Sequence, residues 1–129
     1  MTALLLDLGN SHWKMAFARG NEIERVVQGA YEDSDALDAA VGRLSRPGVD
    51  TVLLASVVDA DLTGQVVSIV DDRLGLTVRQ VVSTDPMPDI VSGYRKPEQL
   101  GVDRLLAMVA ARACSSGALC VIDAGTAVT

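Results

Sequence analysis

The first thirty residues show a pattern of apolar and polar positions that predicts three strands. Residues 3–6 form a continuous apolar run that leads into a Gly-Asn-Ser turn. Beyond that turn, apolar residues recur at every second position, the period of a strand with one buried face, at Trp13, Met15 and Phe17. A Gly-Asn pair of the hairpin type follows, and residues 22–29 continue as a third strand-like segment. The pattern therefore predicts a three-stranded antiparallel meander.

From Asp33 onward the apolar spacing becomes that of amphipathic helices alternating with buried strands. Asp33 or Ser34 is placed to cap the first helix, and Pro47-Gly48 is placed to stop it. The spacing predicts helices at residues 36–44, 62–74 and 100–113, and strands at residues 51–57, 77–82 and 118–122. Residues 83–96, which contain Pro and Gly, are predicted as a loop. The sequence thus predicts an α/β fold in which a meander precedes strand-helix alternation.

Composition and charge narrow the class of protein. The 129 residues are 49% hydrophobic and 22% charged, which suits one soluble, compact domain. The apolar runs are too short to cross a bilayer and no basic leader follows Met1, so we expect a cytoplasmic protein without a membrane partner. A net charge of -6 without a basic run argues against nucleic acid as a partner. Cys114 and Cys120 lack CxxC spacing and are expected to be structural thiols.

Two strand-to-turn segments share the pattern Asp-x-Gly, one at Asp7 and the other at Asp123. Such a turn presents backbone N–H groups beyond a strand end, and the side chains of Asn10 and Ser11 add donors that suit a polyphosphate. Gly9 permits close approach, and Asp7 is placed to hold hydrated Mg²⁺, which prefers a carboxylate or two with phosphate oxygens and water. For one copy alone an ordinary strand-turn Asp is the better interpretation. The second copy favours phosphate binding.

Three segments of the chain resemble, in order, motifs of the type III pantothenate kinase family. The segments are LLLDLGNSHWK, SGYRKPEQLGVDRLLAMVAARA and VIDAGTAVT. The corresponding family motifs are Asp-x-Gly-Asn-[Ser/Thr], Gly-x-Tyr-x-Asn-Pro-x-x-Leu-Gly-x-Asp-Arg and Asp-x-Gly-Thr-Ala-x-Thr. In addition, LLASVV at residues 53–58 is similar to a weaker family feature. The chain departs from the pattern at Lys96, where Asn is usual, and at Leu105, where an aromatic residue is common. These departures concern the substrate loop rather than the three aspartates.

The resemblance implies a fold, a reaction and partners. The fold is the ribonuclease-H-like, or actin-like, ATPase domain, with residues 1–117 as a first domain and residues 118–129 as the first strand and phosphate loop of a second. The implied reaction transfers the γ-phosphoryl group of ATP to pantothenate, the first step of coenzyme A biosynthesis. Family membership further implies Mg²⁺, a monovalent cation (K⁺ or NH₄⁺) and a homodimer.

The resemblance also implies roles for residues of the middle motif. Asp103 is the candidate general base for the pantothenate hydroxyl, and the planar fork of Arg104 suits the pantothenate carboxylate. Tyr94 and Gly101 would contact the substrate. Each charged or aromatic residue has a plainer interpretation from the residues alone: Asp103 as a first-turn acid that complements the helix dipole, Arg104 as a solvated side chain, and Tyr94 as a surface residue.

The outer motifs would bind phosphates and ions. By resemblance, Lys14 joins the first loop, and Gly125 and Thr126 of the second loop bind ATP phosphates. Asp123 would help to place a monovalent cation. An outward-facing strand lysine and a strand-end Asp that caps its own turn are the alternatives for Lys14 and Asp123.

Two other functions remain open at this point. An actin-like phosphohydrolase of the exopolyphosphatase type shares Asp-x-Gly loops, but it should lack Tyr94 together with LGVDR at residues 100–104. A non-catalytic regulatory relative is the second alternative, although the acidic charge and the absence of a DNA-binding motif argue against direct contact with DNA.

Overall fold

The computed structural model of the chain describes residues 1–44 and 48–125. The chain divides into two compact units, Met1–Gln80 and Val81–Thr129. The described elements, in chain order, are the strands and helices β1 (Thr2–Leu8), β2 (His12–Arg19), β3 (Glu22–Ala30), α1 (Ser34–Leu44), β4 (Val49–Ser56), α2 (Ala60–Leu74), β5 (Val78–Val81), a 3₁₀ turn (Pro97–Gln99) and α3 (Val102–Cys114). The structure is therefore a mixed α/β fold.

The first unit is built on a five-stranded sheet with the strand order β3-β2-β1-β4-β5. β1 and β2 pair antiparallel, as do β2 and β3, so the predicted meander is confirmed. β4 instead lies parallel to β1, on its other side. A parallel neighbour needs a crossover connection, and α1 supplies it between β3 and β4. The meander followed by strand-helix alternation thus appears as predicted.

The period of two in β1 and β2 determines which side chains enter the core. Leucines 4, 6 and 8 of β1 stand opposite Phe17, Met15 and Trp13 of β2, and all six are buried. They form one hydrophobic core with helix residues that include Val41 of α1 and Val66 of α2. Because successive strand side chains point to opposite faces, Asp7 and its partner Lys14 lie on the other face of the sheet.

Local chemistry sets the helix boundaries. The Asp33 side chain accepts a hydrogen bond from the Ala36 N–H at 2.9 Å, so Asp33 is the cap of α1. Pro47, which with Gly48 was predicted to end this helix, lies outside the described residues. α2 begins at Ala60, two residues before the predicted start, because Asp59 caps it by accepting from the Leu62 N–H at 2.8 Å. Gly75 ends α2 with the left-handed φ of 62° that favours glycine.

The second unit holds the predicted loop and the last helix. Residues 82–96 are irregular apart from an isolated bridge between Met87 and Ile90. The helix predicted at residues 100–113 is α3, Val102–Cys114, with Val102 and Leu105 buried. Within the described ranges, no helix is long and apolar enough to span a membrane.

The strand predicted at residues 118–122 is wrong, because residues 118–123 have no regular secondary structure. A strand exists only when its backbone groups pair with a neighbour, and the described residues supply no pairing strand at this place. Apolar side chains that such a strand would bury are exposed instead, with exposed fractions of 43% for Leu119 and 74% for Ile122. Residues 118–122 are apolar as the sequence shows, but their apolar character alone does not make them a strand.

Candidate functional site

The first Asp-x-Gly turn is a tight connection between β1 and β2. The Gly9 N–H donates to the His12 carbonyl at 3.1 Å, which closes the turn. A Cβ on residue 9 would lie 3.2 Å from that same carbonyl oxygen, so glycine permits the close approach of the two backbone segments. The sequence predicted that the N–H groups of the turn face a ligand, yet the Gly9 N–H is used within the turn. Asn10, which is exposed, is the residue of the turn most open to a ligand.

Asp7 and Lys14 meet beside this turn. They are directly opposite in the β1–β2 register, and the Lys14 Nζ lies 3.8 Å from the Asp7 Oδ2. Their side chains are about half exposed, at 46% for Asp7 and 54% for Lys14. An ion pair with this exposure contributes only about 0–1 kcal/mol, so Lys14 can leave Asp7 for a phosphate oxygen at little cost. The structure therefore brings together two residues that were predicted separately.

Tyr31 supports the turn from the end of β3, and sequence reasoning missed it. Its hydroxyl donates to the Gly9 carbonyl at 2.7 Å and lies 3.4 Å from the His12 carbonyl. Burial, and secondarily the negative charge of Asp7, raises the pKa of Tyr31 to about 12, so the phenol keeps its proton at neutral pH. The predicted meander could have identified Tyr31, because it pairs His12 with Ala30 and so brings residue 31 beside the turn.

Asp103 and Gly101 form the start of α3. The Asp103 Oδ1 accepts a hydrogen bond from the Arg104 N–H at 2.8 Å. A Cβ on residue 101 would lie 2.5 Å from that Oδ1, so Gly101 leaves room for the carboxylate to fold back over the helix start. A carboxylate has acceptor sites for about four hydrogen bonds, and this single bond leaves capacity for a substrate hydroxyl. The assignment of Asp103 as a base stays a prediction.

A cleft of about 360 Å³ in the second unit gathers three of the predicted residues, Tyr94, Arg104 and Asp123. Its walls are otherwise largely apolar and include Met108 and Leu119. The volume lies at the lower end of the range for small-molecule sites. Among the described residues, the lining of this cleft does not include Asp103.

Arg112 lines the same cleft and was not predicted. Residues 104, 108 and 112 are spaced four apart on α3, which places them on one helix face. The Arg112 Nη1 also donates to the Gly117 carbonyl at 2.9 Å, so this arginine ties the chain after α3 to the helix end. The i, i+4, i+8 spacing from Arg104 was the signal that could have identified it.

The second Asp-x-Gly turn is described only in part. Asp123 and Gly125 are exposed, and Thr126 lies outside the described residues. The described residues contain no group of three or more His, Cys, Asp or Glu side chains that could hold a metal ion.

Comparison with known proteins identifies a family to which this chain is similar. A family model described as "Type III pantothenate kinase" matches residues 3–129. The chain is 34% identical over 132 residues to the type III pantothenate kinase of Halorhodospira halophila, covering 98% of this chain and 52% of that protein. It is 36% identical over 127 residues to the enzyme of Azotobacter vinelandii, covering 96% of this chain and 49% of the relative.

The chain spans about half the length of the curated relatives it matches. Among solved structures, one described as "Structural Study of the Aquifex aeolicus PPX-GPPA enzyme" aligns with 63% of this chain and 36% of its own. The TM-score is 0.38 and the sequence identity is 12%, a likeness too slight to define a fold.

Proposed function

Because this chain belongs to the type III pantothenate kinase family, we propose that the complete protein phosphorylates pantothenate with ATP. The product is 4'-phosphopantothenate, and the reaction is the first step of coenzyme A biosynthesis. The observation that carries the proposal is the family match over residues 3–129. The tight turn beside Asp7 and the arginine-lined cleft support it, because such a kinase needs a phosphate site and a site for a carboxylate-bearing substrate.

On the nucleotide side, Asn10, Ser11 and Lys14 bind ATP phosphates, and Gly125 and Thr126 of the second turn bind them as well. Gly9 permits the close approach of the two backbone segments of the first turn. Lys14 suits this role because its ion pair with Asp7 is half exposed and is therefore readily exchanged. The Asp7 carboxylate fits hydrated Mg²⁺, which keeps most of its waters and needs only one or two carboxylates with substrate phosphates. When bound, Mg²⁺ neutralises charge on the phosphates. Asp123 is the corresponding candidate for K⁺ or NH₄⁺.

On the substrate side, Arg104 binds the pantothenate carboxylate and Tyr94 contacts the pantothenate chain, since both line the cleft in the second unit. Asp103 accepts the proton of the primary hydroxyl while that oxygen attacks the γ-phosphorus and ADP leaves. Gly101 keeps the space into which the Asp103 carboxylate folds.

The proposal extends to the assembly. We assign residues 1–117 to a first ribonuclease-H-like domain and residues 118–129 to the start of a second. The sheet order and the antiparallel meander support the first part of this assignment. The active protein is proposed to be a cytoplasmic homodimer.

The test is an assay of the complete protein with radiolabelled pantothenate, ATP, Mg²⁺ and K⁺. We expect label to appear in phosphopantothenate only when ATP is present. Parallel reactions contain polyphosphate instead of pantothenate. Release of phosphate from polyphosphate without labelling of pantothenate would favour a phosphohydrolase, and no turnover of either substrate would favour a regulatory relative.

We expect Arg104→Ala to raise the pantothenate KM roughly 10- to 100-fold while the ATP KM stays within about twofold. The reason is that a hydrogen bond to a charged group contributes about 1.5–3 kcal/mol, and a carboxylate-binding arginine contacts only one of the substrates. Steady-state kinetics with each substrate varied in turn measures both constants. Arg79→Ala, an exposed arginine on β5, is the matched control and should change neither constant. A parallel rise of both constants in Arg104→Ala would instead indicate a structural role.

A further inference from the structure

We propose that Tyr31 is a positioning residue for the ATP phosphates, because its hydroxyl holds the Gly9–Asn10 peptide in one orientation. The phenol donates to the Gly9 carbonyl at 2.7 Å, and its longer contact with the His12 carbonyl is 3.4 Å. Gly9 is the first residue of the turn and His12 is the first residue of β2 after it. This inference rests on the proposed function, since it assigns the first turn to phosphate binding.

The consequence for the turn follows from peptide geometry. The described residues contain no cis peptide bond, and in a trans peptide the carbonyl and the following N–H point in opposite directions. The Gly9 carbonyl points toward the Tyr31 hydroxyl, so the Asn10 N–H points away from it. The Gly9 N–H is bonded to the His12 carbonyl at 3.1 Å. Tyr31 therefore directs the Asn10 N–H, and not the Gly9 N–H, toward a ligand.

Strand pairing and core packing hold Tyr31 in place. β3 pairs with β2 up to Ala30, which stands opposite His12, and Tyr31 comes next in the chain. The side chain is partly buried and packs against the hydrophobic core, so the ring is held by contacts that do not involve the turn. A hydroxyl carried on a fixed ring pre-organises the turn before a nucleotide arrives, which lowers the ordering cost of binding. Without the hydroxyl, the Gly9–Asn10 peptide loses this restraint on its orientation.

The experiment uses the complete protein and measures ATP binding in the presence of Mg²⁺ and the absence of pantothenate, by isothermal titration calorimetry. Tyr31→Phe retains the ring and removes the hydroxyl. We expect its Kd for ATP to rise about 3- to 10-fold, the effect of one lost hydrogen bond. In kinetic assays the ATP KM should rise by a similar factor while the pantothenate KM is unchanged.

Thr63→Val is the matched control. It also removes a hydroxyl that donates to a backbone carbonyl, since the Thr63 Oγ1 bonds the Asp59 carbonyl at 2.8 Å inside the first unit. We expect a lower thermal unfolding midpoint for Thr63→Val with an unchanged Kd for ATP. An unchanged Kd in Tyr31→Phe, or an equal rise in both variants, overturns the inference.

The two proposals can fail separately. If the wild-type protein binds ATP but does not phosphorylate pantothenate, the proposed function fails, and a selective rise of Kd in Tyr31→Phe still supports the role of Tyr31. If the wild-type protein does not bind ATP, the role of Tyr31 is overturned as well.

Discussion

Asp103→Asn in the complete protein is expected to lower kcat for pantothenate phosphorylation by roughly 10²- to 10⁴-fold, the usual range for loss of a general base. An amide cannot accept the hydroxyl proton. The fold should survive, because the Asn side-chain oxygen can still accept the Arg104 N–H bond that Asp103 Oδ1 makes at 2.8 Å. The variant also loses a negative charge in the first turn of α3, which costs about 0.5 kcal/mol of stability. Single-turnover assays with saturating ATP and pantothenate measure the effect on the chemical step.

Asp61→Asn is the matched control for this change. Asp61 is likewise an acidic residue in the first turn of a helix, α2, and it is exposed. The control should lose a similar amount of helix stabilisation and retain full turnover. A near-normal kcat in Asp103→Asn would contradict the assignment of Asp103 as a base. Asp103 would then only complement the helix dipole, as Asp61 does.

The 129-residue chain by itself is expected to show no measurable pantothenate kinase activity. Phosphoryl transfer depends on positioning and electrostatic stabilisation, so the groups that hold the phosphates must themselves be rigid. The first turn meets this requirement through the Gly9 and Tyr31 hydrogen bonds. Among the described residues, the segment that carries Asp123 has no comparable support, because residues 118–123 form no regular structure and the side chain of Ile122 is 74% exposed.

The measurement is phosphorylation of labelled pantothenate by the purified 129-residue chain at saturating ATP, Mg²⁺ and K⁺. The complete protein at equal molar concentration is the positive control. A cooperative thermal transition by circular dichroism would establish that the 129-residue chain is folded during the assay. Turnover comparable with that of the complete protein would contradict our interpretation of the second Asp-x-Gly turn.

Arg112 and Tyr31 show what kind of site residue the motifs did not reveal. Tyr31 lies outside the three segments that carried the resemblance, and Arg112 lies within the middle segment but beyond the residues to which roles were assigned. Arg112 shares a cleft with Arg104 because both are on one face of α3. Tyr31 contacts Gly9, which is 22 positions away in the sequence, because two strand pairings return the chain to the first turn. Helix α3 brings Arg112 to the cleft, and the strand pairings bring Tyr31 to the turn. A motif match shows neither relation.

The sequence by itself determined the elements whose signals are local. The period of two in β2 placed Trp13 and Met15 in the core, because strand side chains alternate, and the continuous apolar run at residues 3–6 marked β1 as a buried strand. Helix spacing, with Asp33 as a predicted cap, located the helices to within about two residues. These features depend on sterics and hydrogen bonds within a few residues, which is why the pattern alone was enough.

Tertiary structure decided the features that depend on partners distant in the chain. The apolar run at residues 118–122 has strand composition, but a strand requires a neighbouring backbone to pair with, and among the described residues it has none. The 2.7 Å bond from Tyr31 to Gly9, and with it the direction of the Asn10 N–H, arises only when β3 folds back beside β2. Hydrophobic periodicity specifies which face of an element is buried; the contacts that orient a single peptide group come from the register between elements.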